Sequence, residues 1–187
     1  MRASGIVPDD PQALEAAFAS ALEEGQALVT TGGVSVGKYD LVAASFEKLG
    51  VQPVLSKVAI KPGKPIWFGM RGSVPVFGLP GNPVSSLLGF EVFVRPALAR
   101  MAGADAQQQA ERILLGRWMG PEKRSSVRQF NLPVQVSQGS DGVTELTPVP
   151  FRGSSDIVSA SQAHGLVIIP ADGRIESGKL VSYRPLA

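Results

Sequence analysis

The feature that most constrains the fold of this chain is an alternation of short apolar runs, closed by glycine-rich turns, with segments of helical periodicity. Ala27-Leu28-Val29 reads as a buried strand ending at Thr30-Thr31-Gly32-Gly33, and Leu41, Val42, Ser45, Phe46 and Leu49 then repeat at helical spacing up to Gly50. Ahead of that strand, Pro8-Asp9-Asp10-Pro11 starts a helix, with an Asp, Asp9 by default, as its cap and Pro11 in the first turn. Leu14, Ala17, Phe18, Ala21 and Leu22 carry the helix to Gly25. Val51 to Ile60, Ile66-Trp67-Phe68 and Val74-Pro75-Val76-Phe77 read as strands. Asn82-Pro83 opens a long apolar helix through Met101, which Pro96 should kink. Helices alternating with buried strands predict a layered α/β domain.

After Gly103 the texture changes. Phe130 to Val136 alternates apolar and mostly polar residues, Ser140-Asp141-Gly142 is a turn signal, and Thr144 to Val149 supplies a partner strand. With Ile113-Leu114-Leu115, Leu166 to Ile169 and Leu180 to Tyr183, this predicts a small all-β unit. The boundary expected from pattern alone divides the chain into 1–103 and 104–187. A length of 187 residues suits one medium domain joined to a small one, at about 150 residues per domain.

Composition narrows the chemistry. With 44% hydrophobic and 18% charged residues the chain is not of the disordered class. The absence of cysteine excludes a disulfide framework, a thiolate zinc site and a cysteine nucleophile, and a single His, His164, excludes a multi-histidine metal site. Any metal must therefore bind through oxygen ligands. The net charge is only +2, and each part holds nine basic against eight acidic residues. Neither is a basic domain of the kind that neutralises many phosphates, so no nucleic-acid partner is expected. Locally the balance differs: no acid occurs between Glu47 and Glu91, a stretch containing Lys48, Lys57, Lys61, Lys64 and Arg71, which suits a small polyanion. No apolar run approaches a membrane span, and the chain is expected to be cytoplasmic.

Three loops carry the candidate chemistry. Gly32 to Lys38 fits G-x-x-x-x-G-K, but Tyr39 stands where a P-loop needs the Ser or Thr that binds Mg²⁺. Two readings stay open: backbone N–H groups at a helix start that bind phosphate or carboxylate, or a tight turn needing glycine for positive φ. Asp40 in the following first turn is either a helix-dipole partner or an oxygen ligand for Mg²⁺, and Asp9 poses the same choice. Lys57-Val58-Ala59-Ile60-Lys61 has the period of a strand with both lysines on one face, about 13 Å apart. Pro62 and Pro65 stiffen the turn that carries Lys61 and Lys64. In Gly78-Leu79-Pro80-Gly81-Asn82-Pro83-Val84-Ser85-Ser86, prolines stiffen a backbone that glycines leave open to close approach. Ser85 and Ser86 can offer donors to an anion.

Taken together, Gly5 to Pro11, Thr31 to Gly37, Lys57 to Pro65 and Gly78 to Ser85 resemble the molybdopterin molybdenumtransferase family, of the MoeA and gephyrin E-domain type. The resemblance implies an incomplete MogA-like three-layer α/β domain followed by a small all-β, barrel-like C-terminal domain. It implies insertion of molybdate into adenylylated molybdopterin with release of AMP and assistance from Mg²⁺. Asp9 and Asp40 match the family's essential acids and metal-ligand positions, and Lys57 and Lys61 its anion-binding lysines. Gly32, Gly33, Ser35, Gly37, Lys64, Pro80, Gly81, Asn82, Pro83 and Ser85 match its molybdopterin-binding loops. Lys38 stands where other members often carry an acid and receives no role, and His164 reads as structural. The resemblance also implies a homodimer and contact with a molybdopterin adenylyltransferase. It covers about the C-terminal half of a typical member, so the chain is expected to act as a fragment that needs an N-terminal part. The rival reading is a non-catalytic molybdopterin-binding or scaffolding module.

Overall fold

A computed structural model describes residues 3, 5–34, 41–105 and 113–186. Asp10, extended at φ −124° and ψ 129°, accepts a hydrogen bond from the Ala13 N–H at 2.8 Å, and Pro11 opens α1 (Pro11–Glu24). Asp10, not Asp9, is the cap: Pro11 at the first helical position puts the cap one residue before it, leaving Asp9 exposed ahead of the helix. Helix α2 (Leu41–Lys48) ends where Gly50 turns to φ 77°.

Two compact units emerge, Met1–Val58 with Gly63–Asn82 and Ala59–Pro62 with Pro83–Ala187. The first holds β1 (Leu28–Thr31), β2 (Gln52–Ser56), β4 (Trp67–Arg71) and β5 (Val74–Leu79) in the order β1-β5-β4-β2. Strands β1 and β5 are parallel, and β4 runs antiparallel to both β5 and β2. Leu14, Phe18 and Leu22 of α1 and Val42 and Phe46 of α2 bury against Trp67 and Val76. Phe46 lies between Phe18 and Trp67, at ring-centroid distances of 4.7 and 5.0 Å. Its complete burial makes it the anchor of this layer, and Phe46→Ala carries a cost of about 3–5 kcal/mol.

The second unit contains β3 (Ile60–Lys61), β6 (Leu114–Trp118), β7 (Lys123–Arg124), β8 (Gln129–Gln138), β9 (Thr144–Pro148), α5 (Ile157–Ala160), β10 (Gly165–Ile169), β11 (Arg174–Ile175) and β12 (Leu180–Pro185). Five strands in the order β10-β12-β6-β9-β8, with β8 pairing back to β10, form a closed ring. Trp118, Leu132, Val134, Leu146, Val167 and Ile169 fill it. The expected hairpin is present, Val136 facing Leu146 across a turn with Gly142 at φ 80°. Closure leaves these strands without free edges, which explains how so small a β-unit keeps a core.

The apolar helix also belongs to the second unit. Segments α3 (Pro83–Gly89) and α4 (Arg95–Met101) are joined by a π-turn over Phe90–Val94, in which the Arg95 N–H bonds the Phe90 carbonyl. The expected disturbance at Pro96 takes this form because proline has no N–H for the carbonyl four residues back, and a widened turn accommodates its ring. The buried Glu91 carboxylate accepts from Arg95 Nη1 through both oxygens, at 3.1 and 2.8 Å.

Candidate functional site: two glycine turns on one sheet edge and a cationic groove

Parallel neighbours β1 and β5 end side by side, with Thr31 opposite Leu79. The turn after β1 therefore meets the loop after β5, the arrangement that opens a crevice at the carboxyl ends of parallel strands. Gly32 and Gly33 have φ values of 86° and 70°, so both use the left-handed region. The Gly32 N–H donates to the Leu79 carbonyl at 2.9 Å. A Cβ on Gly33 would lie 2.4 Å from Val42 Cγ2, and one on Gly81 3.4 Å from the Gly32 Cα. The two loops are thus packed backbone against backbone, with Pro80 buried behind them and Gly81 and Asn82 exposed.

Antiparallel pairing brings two lysines to the same sheet edge. Gly78 faces Trp67, and Trp67 faces Ser56, so the residues just after β2 and just before β4 share the end at which β1 and β5 finish. Lys57 and Lys64 stand there, both exposed. The Lys57 N–H donates to the Ile66 carbonyl and the Val58 N–H to the Lys64 carbonyl, each at 2.9 Å. The edge spans three strand spacings, roughly 14 Å.

The expected single strand from Val51 to Ile60, with Lys57 and Lys61 on one face, is not formed. Lys57 adopts φ 65°, which ends β2 at Ser56, and Lys61 belongs to β3, which pairs in parallel with β8 opposite Phe130. A backbone in the left-handed region cannot continue the pleat, so the alternation that placed both lysines on one face is lost.

In the second unit Lys61 lines an open groove of about 420 Å³ together with Lys123, Arg124, Arg128, Phe130 and Arg152. Lys61 Nζ lies 5.2 Å and Lys123 Nζ 6.0 Å from the centre of the Phe130 ring. Arg124 pairs with Glu122 at 2.7 Å, and that pairing holds the exposed Glu122 carboxyl below its ordinary range. Among the described residues, Lys61, Lys123 and Arg128 take part in no salt bridge. Such a concentration of uncompensated donors fits an oxyanion. Arg152 is held by the loop Arg152–Asp156, whose Asp156 carboxylate accepts from the N–H groups of Ser159 and Arg152 at 3.1 and 3.0 Å. Those backbone donors, Ser159 first, lower the Asp156 carboxyl below its ordinary value. The loop also gives the Ser154 carbonyl to the Val84 N–H in the first turn of α3.

Of the other residues singled out from sequence, Pro83 is exposed as the first residue of α3 and Ser85 is buried in its first turn, 4% exposed. Ser35, Gly37 and Asp40, with Lys38, lie outside the described residues. Among the described residues no group of three or more His, Asp or Glu side chains is placed to hold a metal ion. Lys123, Arg124 and Arg128 were not singled out from sequence, although Lys123-Arg124-Ser125-Ser126-Val127-Arg128 is a local cluster of basic residues. The cluster lies some sixty residues from Lys61, and only the pairing of β3 with β8 joins them.

Residues 1–100 match the family model described as a probable molybdopterin binding domain. The chain belongs to that family. Residues 117–186 of this molybdopterin-binding-family chain match a second model, the MoeA C-terminal region, domain IV. The chain is 32% identical over 192 residues to molybdopterin molybdenumtransferase of Haemophilus influenzae, covering 97% of this chain and 45% of the relative. It is also 32% identical over 180 residues to the Bacillus subtilis protein of the same name, covering 95% and 41%. A solved structure of the molybdopterin biosynthesis MoeA protein from Pyrococcus horikosii aligns with a TM-score of 0.76 at 31% identity, covering 97% of this chain and 42% of that one. The chain thus spans less than half the length of these relatives. The expected architecture, a MogA-like α/β domain with a small β-barrel-like domain, is the one found.

Proposed function

We propose that this chain serves molybdenum cofactor biosynthesis as part of a molybdopterin molybdenumtransferase, inserting molybdate into the dithiolene of adenylylated molybdopterin and releasing AMP. The observation that carries this reading is the joined pair of glycine turns, Gly32-Gly33 against Gly81, on a sheet edge with Lys57 and Lys64, within the segment that matches the molybdopterin-binding family. Backbone N–H groups at such an edge suit the phosphate of the pterin substrate. In this reading Gly32, Gly33, Ser35, Gly37, Lys64, Pro80, Gly81, Asn82, Pro83 and Ser85 contact molybdopterin. Lys57 and Lys61 are the anion-binding lysines, each supplying positive charge of the kind that offsets the phosphate charge developing as AMP leaves.

Magnesium assistance, with Asp9 and Asp40 as oxygen ligands, is part of the proposal. The described residues by themselves do not fit a magnesium site, since Asp9 is exposed and no acidic cluster surrounds it. No step is therefore routed through the metal. The division into 1–103 and 104–187 is proposed as the domain boundary on the strength of the matched segments 1–100 and 117–186, whereas the compact units group Pro83–Met101 and Ala59–Pro62 with the second part. A homodimer, contact with a molybdopterin adenylyltransferase and a cytoplasmic location complete the proposal. Among the described residues no helix is long and apolar enough to cross a membrane.

The rival reading is a molybdopterin-binding module without turnover. Incubation with adenylylated molybdopterin, molybdate and Mg²⁺, with AMP release as the readout, separates the two. The comparison uses this chain and a version extended at its N-terminus with the corresponding part of a relative. Turnover is expected in the extended chain, abolished by Asp40→Ala and reduced by Lys57→Ala. Binding of molybdopterin without AMP release in both forms establishes the non-catalytic module. Full turnover in the extended Asp40→Ala variant removes the role given to Asp40.

A further inference from the structure

Beyond the residues that meet substrate, the groove of the second unit contains an aromatic ring shared by two cations. Phe130 is 9% exposed and belongs to the barrel core, yet its ring also lines the groove. Lys61 is its register partner on β3, and Lys123 approaches from β7. Both ammonium groups lie within the distance at which a ring quadrupole attracts a cation, 5.2 and 6.0 Å from its centre.

An exposed lysine otherwise spreads over many rotamers, and fixing it costs entropy. Two ammonium groups on one ring also repel each other, because they stand no further apart than roughly a Debye length. The ring attraction opposes both effects and keeps two cations at the groove without a carboxylate that would compete with an incoming anion. Among the described residues neither lysine has such a carboxylate partner.

We propose that Phe130 is a positioning residue for oxyanion binding: its ring holds Lys61 and Lys123 as a preformed pair, and an oxyanion in the groove relieves the repulsion between them. This rests on the reading of Lys61 as an oxyanion-binding lysine. The proposal makes Lys123 a second working cation and gives Phe130 a role that its place in the barrel core does not require.

The test uses the full 187-residue chain, labelled with ¹³C at lysine Cε, with molybdate as the probe. In the wild type the ε-methylene resonances of Lys61 and Lys123 are expected upfield of the other lysines through the ring current. Phe130→Leu should return both to ordinary positions and weaken molybdate binding about three- to tenfold by calorimetry. Phe130→Tyr, which keeps the ring, should bind within twofold of the wild type. In a Lys61→Met, Lys123→Met background, Phe130→Leu should change affinity no further. Unshifted lysine resonances in the wild type overturn the proposal. So does unchanged affinity in Phe130→Leu while Lys61→Met binds poorly, and that result leaves the oxyanion reading standing. Equal binding by the wild type and Lys61→Met, or no binding by the wild type, overturns the oxyanion reading itself and this proposal with it. Thermal unfolding of each variant separates a lost contact from a collapsed barrel, and a Phe130→Leu variant that does not fold passes the decision to the resonances of the wild type and of Phe130→Tyr, which must both be shifted.

Discussion

The Gly32 N–H donates to the Leu79 carbonyl at 2.9 Å, so the turn that leaves β1 is tied to the last residue of its parallel neighbour β5. That bond holds the two glycine loops in contact, and the loops differ in what they tolerate. Gly32 has open space around a hypothetical Cβ, whereas Gly33 would drive one to 2.4 Å from the Val42 side chain. Gly32→Ala should cost only the left-handed backbone penalty, about 1–2 kcal/mol. Gly33→Ala adds an overpacking term and should cost about 2–4 kcal/mol. Urea denaturation of both variants checks the order.

Lys57 is a non-glycine residue at φ 65°, a conformation that costs of order 1 kcal/mol and up. Lys57→Gly removes the ammonium and the penalty together but adds backbone entropy to the unfolded chain. Its stability should stay within about 1 kcal/mol of the wild type. Lys57→Val, β-branched, should lose about 1–2 kcal/mol more. Both should weaken molybdate binding alike, so affinity that follows stability instead of charge argues against a role for the ammonium.

The Asp156 carboxyl sits below its ordinary value of 3.8 because the Ser159 and Arg152 N–H groups bond its charged form. A carboxyl lowered in the folded state contributes stability above its unfolded value, and the contribution disappears as pH falls through the folded value. The loop Arg152–Asp156 should therefore be unaffected from neutrality down to about pH 5 and loosen below about pH 4. Hydrogen exchange at the Arg152 and Ser159 amides, measured down the acid range, follows this directly. Asp156→Asn should flatten the dependence.

Beyond Val134 strand β10 has no residue left to pair with β8, and His164 Nδ1 takes the next position by accepting the Val136 N–H at 3.4 Å. His164→Ala should speed exchange of the Val136 amide at a cost of about 0.5–1 kcal/mol. Molybdate affinity should not change. A loss of affinity without faster Val136 exchange would assign His164 to the site instead of to the ladder.

Much of this protein could be read locally. Pro11 and the preceding Asp pair announce α1, Gly50 ends α2, and Ser140-Asp141-Gly142 turns the hairpin, because caps and turns depend on a few adjacent φ and ψ angles. The glycines of the Thr31 and Gly81 loops are visible for the same reason. Which Asp caps α1 was settled by one position, and where β2 stops by one dihedral at Lys57. Periodicity registers neither.

The sequence by itself determined the alternating elements, the change to an all-β part and the loops that carry the family's residues, all properties of short stretches of chain. Only the tertiary structure decided which loops meet. Parallel pairing of β1 with β5 brings Gly32 to Gly81, and pairing of β3 with β8 takes Lys61 away from the strand of Lys57 and sets it beside Phe130 and Lys123. The physical reason is that strand partners are chosen by long-range burial and backbone hydrogen bonding, so a groove built from residues 61, 123–126, 128, 130 and 151–153 has no local signature.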